Sequence, residues 1–299
     1  MKLQQFTDHC YAFTGAVNIG YCQKDGRGLL IDAGLDDSAI KKVLKQLKQL
    51  DLPLDYCLIT HAHADHFGGA SYLKKSLNIP VYAPLLEAAI IENPILEPIY
   101  LFGGAYPIEE LRNKFLEGPP VSVDYVIVPG ENVIGPFTVE VIDLPGHSYS
   151  QAGVLVEEIL YAADSYFGHE ALNKHVIPFI VDADNTLESL ERLLHIRCKG
   201  AIPGHGPYSE HFHEIVMENI NVHEDKLKAL YQLIESKREG ETVENLTKEF
   251  LTLHNIHVKN MGQWLLFRTT VTAYIASLIR QGRVRFLLAD NEPKVVAEH

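Results

Sequence analysis

Residues 54–69 read LDYCLITHAHADHFGG. The apolar run Leu54 to Thr60 is a buried β-strand by composition and length, and it runs straight into His61, His63, Asp65 and His66, spaced H-x-H-x-D-H. Imidazole nitrogen and carboxylate oxygen are the ligands that hold Zn²⁺ or iron at about 2.0–2.2 Å. In extended chain, residues i and i+2 point the same way, so His61 and His63 can share one ion. Asp65 and His66, where the chain turns into a helix, can face a second. Gly68-Gly69 lets that helix start pack close to the loop.

Working outward, three more donors fall at strand-to-loop junctions, where side chains converge on one edge of a sheet. His147 sits in LPGHS (144–148), Asp164 ends LYAAD (160–164), and His205 lies in PGHG (203–206). The chain has 15 histidines, so one histidine alone says little. The same junction recurring for each donor is what carries the reading. This set is large enough for two ions with open positions, as hydrolysis requires.

The elements around these donors alternate. Strands are expected at 28–32, 54–60 and 81–83, with helices at 36–50 and 67–77. From 124 the strands come closely spaced, at 125–128, 138–144, 153–156 and 159–163, broken by Pro-Gly and Gly-Pro pairs. A helix at 187–195 and a strand at 200–202 lead to PGHG. The tail differs: helices at 211–238, 242–253 and 263–281, then strands 283–288 and 294–296 about a turn at Asp290-Asn291. Strand clusters alternating with helices give an α/β fold of layered sheets with helices outside. The tail is a mostly helical, winged-helix-like domain, with the boundary near 208/209.

Asp32 in IDAG, the His61/His63/Asp65/His66 run, His147, Asp164 and His205 together resemble the metallo-β-lactamase superfamily over about residues 1–208. The resemblance implies an αββα sandwich with the metals at one edge. It implies that His61, His63 and His147 hold one ion, that Asp65, His66 and His205 hold the other, and that Asp164 bridges them. Asp32 would steady the ligand loops by hydrogen bonds. The likeness is nearest to the glyoxalase-II-like hydrolases, several of which carry a winged-helix-like extension. The sequence departs from glyoxalase II itself at GHSYSQ (146–151) and ADSYF (163–167).

Two divalent ions, zinc first, with iron or manganese as alternatives, supply hydroxide at neutral pH. The function expected is hydrolysis of a small ester-like substrate, a thioester or lactone foremost, with Asp65 orienting the nucleophile and Tyr166 donating to the substrate carbonyl. The rivals are a phosphodiesterase or nuclease of the same fold, a mononuclear-iron persulfide dioxygenase, and a non-catalytic sensor. The connection 84–121 is long and apolar. It is a lid over the metals, a contact between two copies of the chain in a homodimer, or extra core.

Charge bears on partners. The net charge is −13, and residues 1–208 carry 15 Lys/Arg against 26 Asp/Glu. Such a surface repels nucleic acid and anionic membrane, so a small-molecule substrate is expected. Cys10, Cys22, Cys57 and Cys198 lack paired spacing and read as ordinary thiols. MKLQQFTDHC has no apolar leader core, and no run of about 18 apolar residues occurs. A cytoplasmic protein is the expectation. In the tail, Arg280, Arg283 and Arg285 make only a small basic cluster. No nucleic-acid binding is therefore expected at physiological salt. A micromolar, salt-dependent gel shift abolished by Arg283→Glu with Arg285→Glu would overturn that.

Overall fold

Alternating burial along single strands shows where the layers meet. Phe137, Val139 and Val141 point inward while Thr138 and Glu140 face water, the period of two that a pleated strand imposes. In the computed structural model, which describes residues 1–298, these side chains fill the space between two sheets.

The first sheet runs in chain order. It comprises β1 (Lys2–Gln5), β2 (Cys10–Thr14), β3 (Ile19–Lys24), β4 (Arg27–Ile31), β5 (Tyr56–Leu58), β6 (Val81–Pro84) and β7 (Tyr125–Ile127). It is antiparallel as far as β4 and parallel from there. The second holds β8 (Gly130–Ile134), β9 (Phe137–Asp143), β10 (Ala152–Val156), β11 (Ile159–Ala163) and β12 (Gly200–Pro203), with only β11 and β12 parallel. Helices α1 (Asp37–Gln49), α2 (Ala64–Phe67) and α3 (Ala70–Leu77) follow β4 and β5. Ile40, Val43 and Leu47 of α1 and Leu73 of α3 cover the outer face of the first sheet. Asp36 caps α1 by accepting from Ser38 and Ala39 N–H, worth about 1 kcal/mol.

The connection 84–121 is ordered as α4 (Leu85–Glu92), α5 (Leu96–Leu101) and a 3₁₀ turn at Glu109–Leu111. Then come α6 (His169–His175), α7 (Ala183–Leu194), α8 (Phe212–Glu235), α9 (Val243–Leu253) and α10 (Met261–Arg280). The chain ends in the hairpin β13 (Val284–Ala289) and β14 (Glu292–Ala297). Asp290 and Asn291 both take positive φ, 52° and 64°, the backbone a tight two-residue hairpin turn demands.

Four features go beyond the sequence reading. Strands β1 to β3 were not foreseen, because β2 and most of β3 are buried on both faces and show no alternation. Cys10 and Cys22, far apart by spacing, are register partners across β2 and β3 with Sγ atoms 3.7 Å apart. The arm 84–121 is a strap to the tail: Leu101, Leu111 and Leu116 pack with Leu265 of α10, and Glu110 accepts from Met261 N–H at 3.0 Å. Finally, α8, which begins just past the expected boundary, packs in two cores. Phe212, Val216 and Ile220 lie against Leu144, Leu160, Leu190 and Leu193 of the sandwich, while Leu227, Leu230 and Ile234 join α9, α10 and the hairpin.

Phe212 is fully buried at that junction. Phe212→Ala should cost about 3–5 kcal/mol, measured as a lower urea midpoint with unchanged slope. A change under about 1 kcal/mol would mean that α8 only rests on the sandwich.

Candidate metal centre

Each donor is fixed by the backbone element that carries it. His61 follows β5, Asp65 and His66 sit in the four-residue α2, Asp164 follows β11, and His205 follows β12. His147 lies between β9 and β10. The structure brings all seven predicted donors together. Ligand atoms of His61, His63 and His147, of His61, His66 and Asp164, and of Asp65, His66 and His205 each lie within 4.8 Å of one another.

Hydrogen bonds behind the rings select their tautomers. Asp32 accepts from Thr60 N–H at 2.8 Å and from the Thr60 hydroxyl at 3.0 Å. That hydroxyl, its proton committed, can only accept from His61 Nδ1, 3.0 Å away, which leaves Nε2 with its lone pair free. His66 Nδ1 is 2.8 Å from Asp32, His147 Nδ1 is 2.9 Å from the Phe179 carbonyl, and His205 Nδ1 is 2.8 Å from the Ala16 carbonyl. Their Nε2 atoms therefore face the centre. His63 is the exception and presents Nδ1, 2.8 Å from His147 Nε2. Asp164 lies 3.4 Å from Nε2 of His66, His147 and His205.

The fit to metal rests on what these atoms lack. Among the described residues, His61 Nε2, His66 Nε2 and Asp164 Oδ1 are buried without a hydrogen bond, the last two facing each other at 3.4 Å. Each such atom costs about 1–3 kcal/mol, and three in one cluster are what a cation would satisfy. Gly204 belongs to the same cradle, since a Cβ there would stand 2.1 Å from Asp164 Oδ1.

Charge is sorted across the centre. Burial and the neighbouring rings push His61 well below the usual histidine range and His63 down to about 3. Against burial, Asp164, Asp32 and Asp65 hold His66 well above that range, and Asp164 and Asp65 raise His205 to about 10. Against burial again, His66 and His205 hold Asp65 at about 2.

Several supporting residues were missed by sequence reading. Glu87 of α4 accepts from Ala62 N–H, the Ser148 hydroxyl and Ser150 N–H, tying the His61–His66 loop to the His147 loop. Its signal was an acid inside the apolar run LLEAAI. Asn18 donates to the carbonyls of Pro203 and Gly206, holding the loop of His205. Asn219 of α8 brackets Phe167 by accepting from its N–H and donating to its carbonyl, both at 2.9 Å.

Tyr166 is a correction. After Asp164 the chain turns back, with the Ser165 hydroxyl on the Ala162 carbonyl. Tyr166 is 1% exposed in the cluster under α7 and α8, beside Leu160, Leu190 and Phe212. It does not reach the metal side, and burial raises its phenol. Lys174 and His175 are exposed at the end of α6, and His175 lies near enough to His205 and Asp164 to feel their charge.

Two apposed sheets with helices outside, and a His/Asp cluster at one edge, define a metallo-β-lactamase-type fold. The family model described as "Metallo-beta-lactamase superfamily" matches residues 12–205, and the chain belongs to that superfamily. Among curated relatives, the lactamase-like protein adaB of Aspergillus niger is 24% identical over 214 residues, 70% of this chain and 56% of its own length. The hydroxyacylglutathione hydrolase of Rhodopseudomonas palustris is 27% identical over 160 residues, 50% of this chain and 52% of its own. This chain thus spans little more than half the length of either. Of solved structures, a β-lactamase domain protein from Burkholderia ambifaria superposes with TM-score 0.74 at 17% identity, covering 99% of this chain and 94% of that one. A metallo-β-lactamase family protein from Thermus thermophilus gives 0.70 at 20%, covering 94% of each. These likenesses show the fold, tail included.

A histidine that keeps its proton to about pH 10 must lose it to bind a metal at neutral pH. Zn²⁺ binding to the metal-free protein should therefore release protons at pH 7 and tighten as pH rises toward 10. Calorimetry in buffers of different protonation enthalpy checks this, and zero release would mean that His205 is already neutral. Gly204→Ala should lower metal content while leaving the circular dichroism spectrum unchanged.

Proposed function

We propose that the protein is a metal-dependent hydrolase of small ester-like substrates, with thioesters and lactones foremost. The observation that carries this is the set of convergent, unpartnered donors open on one side. His61 and His66 are fully buried, whereas the side chains of Asp65 and His205 are 36% and 22% exposed. His61, His63 and His147 would hold one divalent ion, and Asp65, His66 and His205 a second, with Asp164 between them. When bound, such a pair supplies hydroxide at neutral pH and a Lewis acid for a developing oxyanion.

The chain's own residues do the rest. Asp65, kept ionised at the exposed side, accepts a hydrogen bond from a water and orients it. Phe167 and Phe179 flank the His147 ring at 5.8 and 5.7 Å and keep bulk water from that side. Asp32, Thr60 and Glu87 hold the donors before any substrate arrives, so little reorganisation remains for the reaction. The hydroxyacylglutathione hydrolases among the relatives support acyl transfer to water as the reaction class.

The arginines at the hairpin support a partner other than nucleic acid. Arg280 pairs with Asp182 and Asp184, Arg285 with Glu298 at 2.7 Å, and Arg283 lies over the Tyr231 ring at 3.7 Å. We read the tail as a winged-helix-like unit of architectural role. Among the described residues no helix is long and apolar enough to cross a membrane.

Protein loaded with Zn²⁺, Mn²⁺ or Fe²⁺ should cleave members of a panel of thioesters, lactones and phosphodiesters, with the acyl substrates preferred. His63→Ala and Asp164→Ala should each lower kcat/KM on the order of 10³-fold or more. Activity within about tenfold of wild type in both would place the chemistry elsewhere.

A further inference from the structure

One buried acid near the centre has no partner among the described residues. Helix α5 turns one face toward the metal loops. Its Tyr100 ring meets that of Tyr149, two residues past His147, with centroids 5.6 Å apart. Tyr100, Leu101 and Phe102 share an apolar cluster with Phe179, whose ring lies 5.6 Å from that of His63 and 5.7 Å from that of His147. Glu97 precedes Tyr100 by three residues and Leu101 by four, which puts it on the same face one turn earlier.

Glu97 is 4% exposed, and among the described residues nothing donates to its carboxyl or pairs with it. Burial, with the charges of Asp65 and Glu87, holds it well above the usual carboxylate range. Glu87, on the same arm and fully buried, shows what a structural acid looks like, with two backbone N–H groups and a hydroxyl answering it. The Glu97 oxygens are not among the fully buried unpartnered atoms, so they keep a narrow opening. An acid so nearly buried and without such donors costs stability, and a group bound at that opening is what would repay the cost.

We propose that Glu97 is a substrate-recognising residue, accepting a hydrogen bond from a neutral donor, a hydroxyl or an amide N–H, on the acyl part of the substrate. This rests on the ester-hydrolase reading of the same site. It narrows the substrates to acyl groups that carry a polar branch, and it gives the arm a role in choosing them. A plain acyl chain would leave the carboxyl unanswered, and a site built to meet a polar group rejects the analogue that lacks it.

The test compares 2-, 3- and 4-hydroxyacyl and N-acylaminoacyl thioesters with their unsubstituted parents, using metal-loaded wild type, Glu97→Gln and Glu97→Met. Wild type should favour at least one substituted acyl group by about tenfold in kcat/KM. Glu97→Gln, which keeps an acceptor oxygen, should retain that preference, and Glu97→Met should lose it. Without substrate, Glu97→Met should melt at a higher temperature than wild type, because an unpaired buried acid is gone. Calorimetric binding of the matching hydroxy acids and parent acids runs alongside and reads Glu97 even if no thioester is cleaved, a result that would sink the hydrolase reading alone. No preference in wild type by either measurement, or a preference kept in Glu97→Met, overturns the proposal. So does loss in Glu97→Gln, which would mean that the carboxyl itself is needed and an acceptor oxygen alone does not suffice, and so does a lower melting temperature in Glu97→Met, the mark of a structural acid.

Discussion

A single buried carboxylate sets the geometry on which the centre depends. Asp32 stands at the end of β4 with φ 66°, a left-handed conformation that costs a non-glycine residue energy. That turn aims its oxygens at Thr60 N–H, the Thr60 hydroxyl and His66 Nδ1. Through Thr60 it fixes the His61 ring, and directly it fixes that of His66, so one donor from each expected ion site is oriented by the same group. Its neighbour Ala33 donates to the His66 carbonyl at 2.7 Å. The approach is close enough that a Cβ at Gly68 would stand 1.9 Å from the Leu35 carbonyl oxygen, so only glycine fits there.

The rest of the molecule is arranged as support for loops that carry like-charged and lone-pair atoms into one small volume. Such a cluster opposes its own assembly, because buried polar atoms without partners are costly. The arm answers through Glu87, which clamps two ligand loops from below. The C-terminal helices answer through Asn219 on the Phe167 backbone and Thr270, whose hydroxyl accepts from Ile180 N–H. The 176–182 segment so held supplies the Phe179 carbonyl that orients His147. The tail therefore contributes to the centre although it offers no donor to it.

This arrangement also explains why α8 is shared between two cores. A 24-residue helix that buries its first turns against the outer face of the second sheet and its last turns against α9 and α10 joins two cores. The strap from α5 to α10 makes a second connection, through Leu101, Leu111 and Leu265. Movement of the tail would be felt at Phe179, and so at His147.

The sequence by itself determined the donors and the class of fold. H-x-H-x-D-H after a buried strand, LPGHS, LYAAD and PGHG are local patterns, and local pattern is what a chain displays before it folds. The last turn was legible for the same reason, as Asp290-Asn291 shows. What only the tertiary structure decided depends on residues far apart in sequence meeting. Strands β2 and β3 gave no alternation because both of their faces are covered. Tyr166, two residues from Asp164, was expected beside it, and a turn at Ser165 sent it into the core instead. Glu87, Asn18 and Asn219 looked like ordinary polar residues until folding buried them against backbone groups 25 to 188 positions away. A hydrogen-bond partner is a matter of distance in space, and the order of residues along the chain does not encode that distance directly.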